Sequence, residues 1–475
     1  MNRDEYIAWA ERAMRWGADY LAGLRKQPVR APLVPGASVR EIPVSPPSDP
    51  EAMSQIWEDF ERLVPPSLTH WQHPRFFAYF PANASPASMV AQHLTTAMAV
   101  NPLLWQASPI ATELEERMID WLRQALGLAE HFTGVTHDTA SIATFSAVLT
   151  MRERATGFAS NSQGLDRRLR IYASAQTHSS IDKAVVMAGI GRENLVKIPT
   201  DCTWAMQPEA LAAAIEADLA AGHTPAGIVL CVGGTGIGAS DPIAACLDVA
   251  KRYELYTHVD AAWAGSAMIC PEERIHWAGI NGADSIVFNP HKWLGVQFDC
   301  SVQFLADPTD QIRTLAMRPD YLHTPGAENI INYSEWTPQL GRSFRALKIW
   351  FVLRAYGIDR LAERIRSHIR WTRELADKVE AEDGFEIVTP PMFALFTFRY
   401  LREGSDPDEL NRRLIEAIND DGRIYLTQTL HEGHFVIRFT IGQWDTEEAD
   451  IAFAWDVIRE IAANLDQRGT DEQPS

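Results

Sequence analysis

The chain lacks several features that would assign it to particular classes of protein. It has only five cysteines in 475 residues and no Cys-x-x-Cys pair, so we expect reduced, mostly buried thiols in a cytoplasmic protein. No apolar run reaches the length of about 18 residues that crosses a bilayer. Basic residues are the minority, 43 against 62 acidic ones, and the formal charge is −19. This balance argues against nucleic acid and anionic membranes as partners.

The remaining composition is ordinary for a soluble globular protein, with 46% apolar and 22% charged residues. The N-terminus is amphipathic and carries acidic residues, unlike a signal peptide. No internal repeat or low-complexity stretch is present. The length suggests about three domain-sized units, and the patterns along the chain place them at residues 1–85, 86–357 and 358–475.

Residues 1–85 are predicted to form a helical segment. Residues 4–24 carry an apolar stripe with helical spacing, which could pack on its own chain or on a second subunit. The stripe consists of Tyr6, Ala10, Ala13, Trp16, Tyr20 and Leu24. A proline-rich, irregular linker follows, and residues 48–51 have the capping-box pattern that opens a helix to about Leu63.

Residues 86–357 show the pattern of an α/β domain. A helix is predicted from Pro109 to Gly127, because proline suits a first helical turn and glycine suits a helix end. From there to about residue 305, short apolar runs alternate with helical patterns such as 208–220 and 242–253. The runs are 169–173, 195–198, 227–232, 256–259, 285–288 and 301–305. This alternation predicts a mostly parallel sheet covered by helices on both faces.

The last part of the chain predicts a small α+β domain. Residues 318–335 contain prolines, a glycine and polar groups without periodicity, which is typical of a lid or a disordered segment. Helices are predicted at 344–356 and 358–382, separated by Gly357. The segments that follow are strands 385–389, 394–400, 423–428 and 434–440, and helices 407–419 and 447–465.

Two strand ends carry the residues with the clearest chemical meaning. The sequence Asn-Pro-His-Lys-Trp at 289–293 follows the apolar run 285–288, so Lys292 lies just beyond a buried strand. Burial favours the neutral amine, which can attack a carbonyl to form a Schiff base. Asp260 ends the run 256–259. A lysine with an acid at a neighbouring strand end is what pyridoxal 5'-phosphate (PLP) chemistry needs, although a surface lysine and a strand-capping acid remain alternatives.

Six stretches in order along the chain resemble the PLP-dependent group II amino-acid decarboxylases, and in particular the bacterial aromatic-L-amino-acid decarboxylases. They are 73–81, 138–141, 178–180, 258–262, 289–293 and 340–342. The resemblance implies PLP fold type I (aspartate aminotransferase-like) in a homodimer whose N-terminal helical layer embraces the partner subunit. It also implies a carboxy-lyase that converts an aromatic L-amino acid, of the tryptophan, phenylalanine, tyrosine or dihydroxyphenylalanine type, to the amine and CO2.

The resemblance assigns roles around the cofactor. Lys292 would bind it covalently, Asp260 would pair with its ring nitrogen, and His178 would lie flat against the ring and help to transfer protons. The pairing is expected to lower the pKa of Asp260. The residues implied to hold the cofactor are Thr139, Ala140, Ser141, Thr235, Asp260, Ala262, Asn289, His291 and Lys292.

Part of this set is implied to bind the cofactor's phosphate. Residues 139–141 begin a predicted helix, and a helix N-terminus offers N–H groups and a favourable dipole to an anion. Asn289 and His291 would complete the phosphate site. An ordinary N-cap is the plainer explanation of residues 139–141 when they are considered alone.

A further set is implied to bind the substrate, namely Tyr79, Phe80, Pro81, Trp105 and Leu103 of the partner subunit. Ala82 and Asn83 depart from the animal enzymes, which carry a hydroxyl residue after the proline, so the contact to the substrate carboxylate is not assigned. Tyr321, in the predicted lid, would return a proton to the carbon that loses CO2. Relatives with phenylalanine at that position form an aldehyde instead.

Three alternatives to an amine-forming decarboxylase remain, of which the first comes from the resemblance. The first is a decarboxylation-dependent aromatic aldehyde synthase. The second is a dinucleotide-binding oxidoreductase, because residues 234–239 fit Gly-x-Gly-x-x-Ala after a strand, although Asp241 would repel a pyrophosphate there. The third is a non-catalytic PLP-binding or scaffold protein. His70 and His73 lack further ligands, so no metal is expected.

Overall fold

The computed structural model describes residues 1–31, 34–317 and 330–471, with side chains up to residue 465. The chain forms two compact units. Unit one comprises Met1–Pro81, Glu374–Val388 and Thr397–Ser475, and unit two comprises Ala82–Arg373 and Thr389–Phe396. The three domain boundaries proposed from the sequence stay a prediction.

Unit two is built on a sheet whose seven described strands have the spatial order β1-β7-β6-β5-β4-β2-β3. The strands are β1 (Thr133–His137), β2 (Leu169–Ser174), β3 (Leu195–Ile198), β4 (Thr224–Cys231), β5 (Tyr256–Asp260), β6 (Ser285–Phe288) and β7 (Ser301–Leu305). Strands β2 to β6 pair in parallel, and β7 is antiparallel to both β6 and β1. The prediction of a mostly parallel sheet in an α/β fold is therefore confirmed.

Strand β1 was not predicted from the sequence because its residues are polar or small. All of them except Thr133 are nevertheless buried, and two of their polar groups have partners inside the protein. The Thr136 N–H donates to Glu115 Oε1 at 2.8 Å, and His137 Nε2 lies 2.8 Å from Gln303 Oε1 on β7. Gly134 is required at its position, because a Cβ there would collide with the Gln303 carbonyl oxygen.

Helices precede, separate and follow these strands along the chain. They are α4 (Pro86–Met98), α5 (Pro109–Leu126), α6 (Ala140–Ala155), α7 (Ser160–Gln163), α8 (Ser180–Met187), α9 (Pro208–Ala220), α10 (Ile243–Arg252), α11 (Thr309–Leu315), α12 (Arg345–Tyr356) and α13 (Ile358–Glu380). Helix α5 begins with Pro109 and ends at Gly127, which adopts the left-handed conformation with φ 74°. Both terminal signals in that sequence were thus interpreted correctly.

Arg342, from the stretch 340–342, contributes to the interior of unit two. Its guanidinium Nη2 donates to Glu115 Oε1 at 2.5 Å and to the Thr136 carbonyl at 2.9 Å, and the guanidinium lies over the Tyr333 ring. The Arg342 and Glu115 side chains are only 2% and 1% exposed. Because each buried charge has its partner, the pair can join α5, β1 and the segment before α12.

Unit one contains helices α1 (Arg3–Gly23), α2 (Ala37–Arg40), α3 (Met53–Leu63), α14 (Pro407–Asp421) and α15 (Glu448–Asp471). Strands β8 (Phe385–Met392), β9 (Leu395–Tyr400), β10 (Thr427–His431) and β11 (His434–Thr440) form a sheet in the order β10-β11-β9-β8. The α+β character predicted for the C-terminal part is present in this sheet and its helices.

Two local predictions in unit one were wrong. Helix α3 starts at Met53 with Ala52 as N-cap, because Pro50 disfavours helical backbone at the residue before it and the capping box at 48–51 cannot form. The predicted strand 423–428 starts later, at Thr427. Tyr425 instead forms a parallel bridge with Phe76, and its N–H donates to the Arg75 carbonyl.

The N-terminal stripe packs partly on its own chain. Trp16 of α1 stacks on Tyr20 with 5.1 Å between ring centroids and meets Phe60 of α3 edge-on at 4.8 Å. The Tyr20 hydroxyl lies 2.7 Å from His70 Nδ1. Tyr6, at the start of the stripe, remains 50% exposed. One part of the stripe therefore packs against α3, and the part that begins with Tyr6 is exposed to solvent.

The five thiols are unpaired, and all except that of Cys202 are buried, as the sequence predicted. Each helix of the described chain is too short or too polar to span a bilayer. The cytoplasmic location stays a prediction.

Candidate active site

A cavity of about 210 Å³ lies in unit two where the carboxyl ends of β4, β5 and β6 approach the N-termini of α6 and α8. Such strand ends are the usual place for a ligand site in an α/β sheet. The cavity is lined by Thr139, Ala140, Ser141, His178, Ser180, Cys231, Gly233, Gly234, Thr235, Asp260, Ala262, Trp263, Asn289, His291, Lys292 and Phe298. The structure thus brings together His178 and every residue implied by resemblance to hold the cofactor.

Lys292 occupies a tight turn between β6 and β7. Its N–H donates to the Asn289 carbonyl at 2.9 Å, and its own carbonyl accepts the Gly295 N–H at 3.3 Å. A second donor to that carbonyl is the Asn83 side-chain amide, at 2.7 Å. Burial lowers the pKa of the Lys292 amine, while the nearby Asp260 carboxylate acts in the opposite direction. The protein therefore favours the neutral, nucleophilic amine expected from the sequence.

Asp260 is the last residue of β5 and is 8% exposed. Its Oδ1 accepts the Ala262 N–H at 3.0 Å. Burial raises the pKa of Asp260, and His178, the Ala262 N–H and Lys292 oppose that rise. The lowering expected from the sequence refers to Asp260 paired with a cationic ring nitrogen, and it stays a prediction. A cation beside Asp260 would restore its negative charge.

His178 lies just before α8, and its hydrogen bonds define its tautomer. Its Nδ1 accepts the Ser180 N–H at 3.1 Å and lies 2.9 Å from the Ser180 hydroxyl. The neutral ring therefore carries its proton on Nε2. Desolvation lowers the pKa of His178, Asp260 raises it and Lys292 lowers it further. A planar ring with a defined N–H donor is thus placed in the same cavity as Lys292.

The cavity lining also includes neutral hydrogen-bond donors. Within the described chain, no side chain caps the N-terminus of α6, where residues 139–141 line the cavity. Asn289 Oδ1 accepts a hydrogen bond from the Ser301 hydroxyl. The amide nitrogen of Asn289 therefore points away from Ser301 and serves as a hydrogen-bond donor. Burial lowers the pKa of His291 to about 3, and its Nδ1 accepts the Cys300 N–H at 2.9 Å, so the proton lies on Nε2. This arrangement suits a phosphate.

The residues present therefore fit PLP. The lining combines a buried lysine amine, whose pKa is lowered, and a buried carboxylate from adjacent strands with a helix N-terminus that has N–H donors. The described residues bring no group of three histidine, cysteine or acidic side chains into metal-binding proximity.

The glycine-rich stretch 234–239 does not form a dinucleotide site. The Gly234 N–H donates to the Ala239 carbonyl at 2.7 Å, so the stretch closes on itself as a turn. Asp241 then accepts the Cys231 N–H at 2.8 Å, and α10 begins only at Ile243. A dinucleotide fingerprint would lead directly from strand to helix. The turn instead presents Thr235 to the cavity.

The residues implied to bind substrate are not gathered in this cavity. Trp105 belongs to unit two but is absent from the lining, and its Nε1 donates to Glu113. Leu103 is implied to act from the partner subunit, so the lining of one chain does not test its role. Tyr79, Phe80 and Pro81 belong to unit one, where Tyr79 stacks on Trp71. Tyr321 and most of the predicted lid lie outside the described residues. Their roles stay predictions.

Sequence reasoning missed several residues of the site. Phe298 lines the cavity and meets the His291 ring edge-on at 4.8 Å, although its side chain is 51% exposed. Phe298 lies six residues after Lys292 in the connection between β6 and β7, and this proximity in sequence could have indicated its place in the site. Trp263 follows Ala262 directly and is buried against Trp293, so it could have been identified by adjacency. Asn83 was noted only as a departure from relatives.

Comparisons with known proteins agree with this geometry. The pyridoxal-dependent decarboxylase conserved domain matches residues 35–401. Tryptophan decarboxylase 2 of Oryza sativa subsp. japonica is 36% identical over 478 residues, 98% of this chain and 96% of that protein. Phenylacetaldehyde synthase of Arabidopsis thaliana is 37% identical over 461 residues, 94% of each protein.

A solved structure extends the agreement to three dimensions. The crystal structure of Oryza sativa TDC with PLP and tryptamine superposes with a TM-score of 0.95 at 35% identity, covering 98% of this chain and 99% of that one. The family match covers most of the chain and includes the cavity. The chain therefore belongs to the pyridoxal-dependent decarboxylase family.

Proposed function

We propose that this chain is a PLP-dependent carboxy-lyase that converts an aromatic L-amino acid to its amine and CO2. The observation that carries the proposal is the convergence of Lys292, Asp260 and His178 on one cavity that the N-terminus of α6 also lines. The aromatic substrate is supported by similarity to the Oryza sativa tryptophan decarboxylase and the Arabidopsis thaliana phenylacetaldehyde synthase, both named for aromatic compounds.

When bound, PLP supplies an electron-withdrawing ring that accepts the electron pair left as CO2 departs. Lys292 would hold the cofactor covalently between turnovers and give up that place to the substrate amine. Asp260 would keep its negative charge beside the ring nitrogen and so favour the electron flow. His178 would fix the plane of the ring, and its Nε2–H could donate to the reacting groups. Residues 139–141, Asn289 and His291 would anchor the phosphate.

The test is a panel of amino acids assayed for both products. With PLP added, we expect CO2 and amine in equal amounts from at least one of tryptophan, phenylalanine, tyrosine and dihydroxyphenylalanine, and none from glutamate. The preference within the panel depends on ring and hydroxyl contacts worth roughly 1–3 kcal/mol each. Absence of CO2 from every aromatic amino acid would contradict the proposal and favour a non-catalytic PLP protein.

A second candidate is an aromatic aldehyde synthase, favoured by the similarity to phenylacetaldehyde synthase. The resemblance assigns the choice to Tyr321, whose hydroxyl would protonate the carbon that lost CO2. This chain has tyrosine there, so we propose amine formation as the main outcome. A general acid acts only within hydrogen-bond reach of its target, so that step depends on where Tyr321 lies during turnover.

We therefore expect Tyr321→Phe to release CO2 while its product shifts from amine toward aldehyde, ammonia and peroxide. The measurement is product analysis under air with oxygen uptake recorded in parallel. Tyr253→Phe is the matched control, because Tyr253 lies at the end of α10 with its hydroxyl on Glu216 and outside the cavity. An unchanged amine yield in Tyr321→Phe would give Tyr321 a structural role only.

We also propose that the chain works as a homodimer. Helix α4 presents Val90, Leu94 and Met98 at four-residue spacing, 47%, 40% and 49% exposed. Such a stripe lies on one helix face and is costly to leave in water. The open part of the stripe on α1, beginning with Tyr6, is a second apolar surface for a partner.

Light scattering is accordingly expected to give twice the chain mass of 53.1 kDa. Leu94→Glu should weaken association, because it places a charge in the middle of the α4 stripe, whereas Gln92→Glu on the same helix should not. An active particle of 53.1 kDa would count against the dimer.

A further inference from the structure

The turn that carries Lys292 is fastened to the segment before and at the start of α4. The Asn83 N–H donates to the His291 carbonyl at 2.8 Å, and the Ser85 N–H donates to the Gly295 carbonyl at 2.9 Å. The Gln297 N–H donates to the Ser88 hydroxyl at 2.6 Å. These bonds run side by side along the turn, so the two segments form a clamp. All of them lie within unit two.

One further hydrogen bond of this clamp joins a side chain to Lys292 itself, and that side chain is Asn83. Its Nδ2 donates to the Lys292 carbonyl at 2.7 Å, and Asn83 is 1% exposed. The other donor to that carbonyl, the Gly295 N–H, is farther away at 3.3 Å. The short contact comes from a buried amide whose place is itself fixed by its backbone bond to His291. Asn83 therefore restrains the backbone of Lys292 more closely than the turn does alone.

The same contact bears on a second possible role of Asn83, the binding of the substrate carboxylate. A residue that bound the substrate carboxylate would need to present its N–H groups to the cavity. Asn83 directs an N–H to a backbone carbonyl, is almost fully buried and is absent from the cavity lining. This placement favours a contact with the Lys292 backbone over one with the substrate carboxylate.

We propose that Asn83 is a positioning residue for Lys292. By holding the Lys292 backbone, its amide fixes where the lysine amine meets the cofactor and how far that amine lies from Asp260. This inference rests on the proposed function, which gives Lys292 the covalent role. Misplacement of a reacting group by about 1 Å can cost about a hundredfold in rate, so a restraint at this backbone has a measurable consequence.

The test compares Asn83→Ala with Asn411→Ala in the PLP-loaded enzyme. Asn411 is a matched control, because it is equally buried and its Nδ2 donates to the Tyr400 carbonyl at 2.8 Å, in unit one and outside the cavity lining. We expect Asn83→Ala to lose PLP about tenfold faster on dialysis, the change that corresponds to one neutral hydrogen bond. The pH midpoint of the visible absorbance of bound PLP should shift as well.

The Asn411→Ala variant should lose thermal stability without a change in PLP loss or in the pH midpoint. If Asn83→Ala gives no folded enzyme, Asn83→Asp is measured in its place, since it keeps the shape and removes the donor. Wild-type PLP loss and pH midpoint in the Asn83 variant, or equal shifts in Asn411→Ala, would overturn the proposal. Because PLP loss is read without substrate, this outcome is distinguishable from a failure to form amine.

Discussion

Replacing Lys292 with alanine is expected to abolish the release of amine and CO2. The variant lacks the amine that binds the cofactor covalently and that is displaced by substrate, so the covalent route is lost. The fold should persist. Burial lowers the pKa of the Lys292 amine, so the substitution removes a group whose charged form is disfavoured there, and the Ala262 N–H still donates to Asp260 Oδ1.

The measurement for Lys292→Ala is product release with excess PLP, together with circular dichroism to confirm the fold. Lys251→Ala is the matched control, because Lys251 is an exposed residue of α10 and lies outside the cavity. It should retain the wild-type rate. A Lys292→Ala variant that retained near wild-type turnover with added PLP would show that this lysine is not the cofactor's anchor.

Replacing Asp260 with asparagine is expected to lower the rate by several powers of ten and to weaken PLP binding. Asparagine keeps the shape and an oxygen for the Ala262 N–H, but it cannot carry the charge that pairs with the ring nitrogen. The substitution removes a preorganised electrostatic contact that strengthens as electrons move toward the ring. Contacts of this kind usually lower the activation free energy of an enzyme reaction more than any other single effect.

The pH dependence of Asp260→Asn gives a second readout with a definite sign. Asp260 acts in its ionised form, and burial raises its pKa while a neighbouring cation lowers it. Wild-type activity that depends on this charge is present above the pKa of Asp260 and is lost as the pH falls through it. The asparagine variant should lack that acidic fall, whereas Asp248→Asn on the surface of α10 should keep it. An unchanged rate in Asp260→Asn would show that the Asp260 charge does not support the reaction.

The sequence predicted most of the sheet in unit two because its strands are apolar and well delimited. Strands β6 and β7 and helix α9 have the predicted ends, since proline, glycine and the helical spacing coincide there. Strand β1 escaped prediction because a buried polar strand depends on partners remote in sequence, as Thr136 does on Glu115. The capping box at 48–51 failed because a proline within it outweighed the cap.

The candidate site likewise contains residues that could be predicted from the sequence and residues that could not. Residues that follow strand ends, such as Asp260 and Lys292, could be predicted because parallel strands bring their carboxyl ends together. Local spacing cannot reveal which distant segment braces a turn, and so the contact of Asn83 with Lys292 became visible only in three dimensions. Nor does the sequence show that burial at the end of β5 opposes the lowering of the Asp260 pKa by a paired cation.

The covalent role of Lys292 is the central claim, and chemical trapping tests it most directly. The PLP-loaded enzyme would be reduced with sodium borohydride, digested and analysed by peptide mass spectrometry. We predict that the peptide containing residues 289–293 carries the pyridoxyl group on Lys292 and that no other lysine is modified in stoichiometric amount. A stoichiometric pyridoxyl group on another lysine, with Lys292 unmodified, would contradict the account.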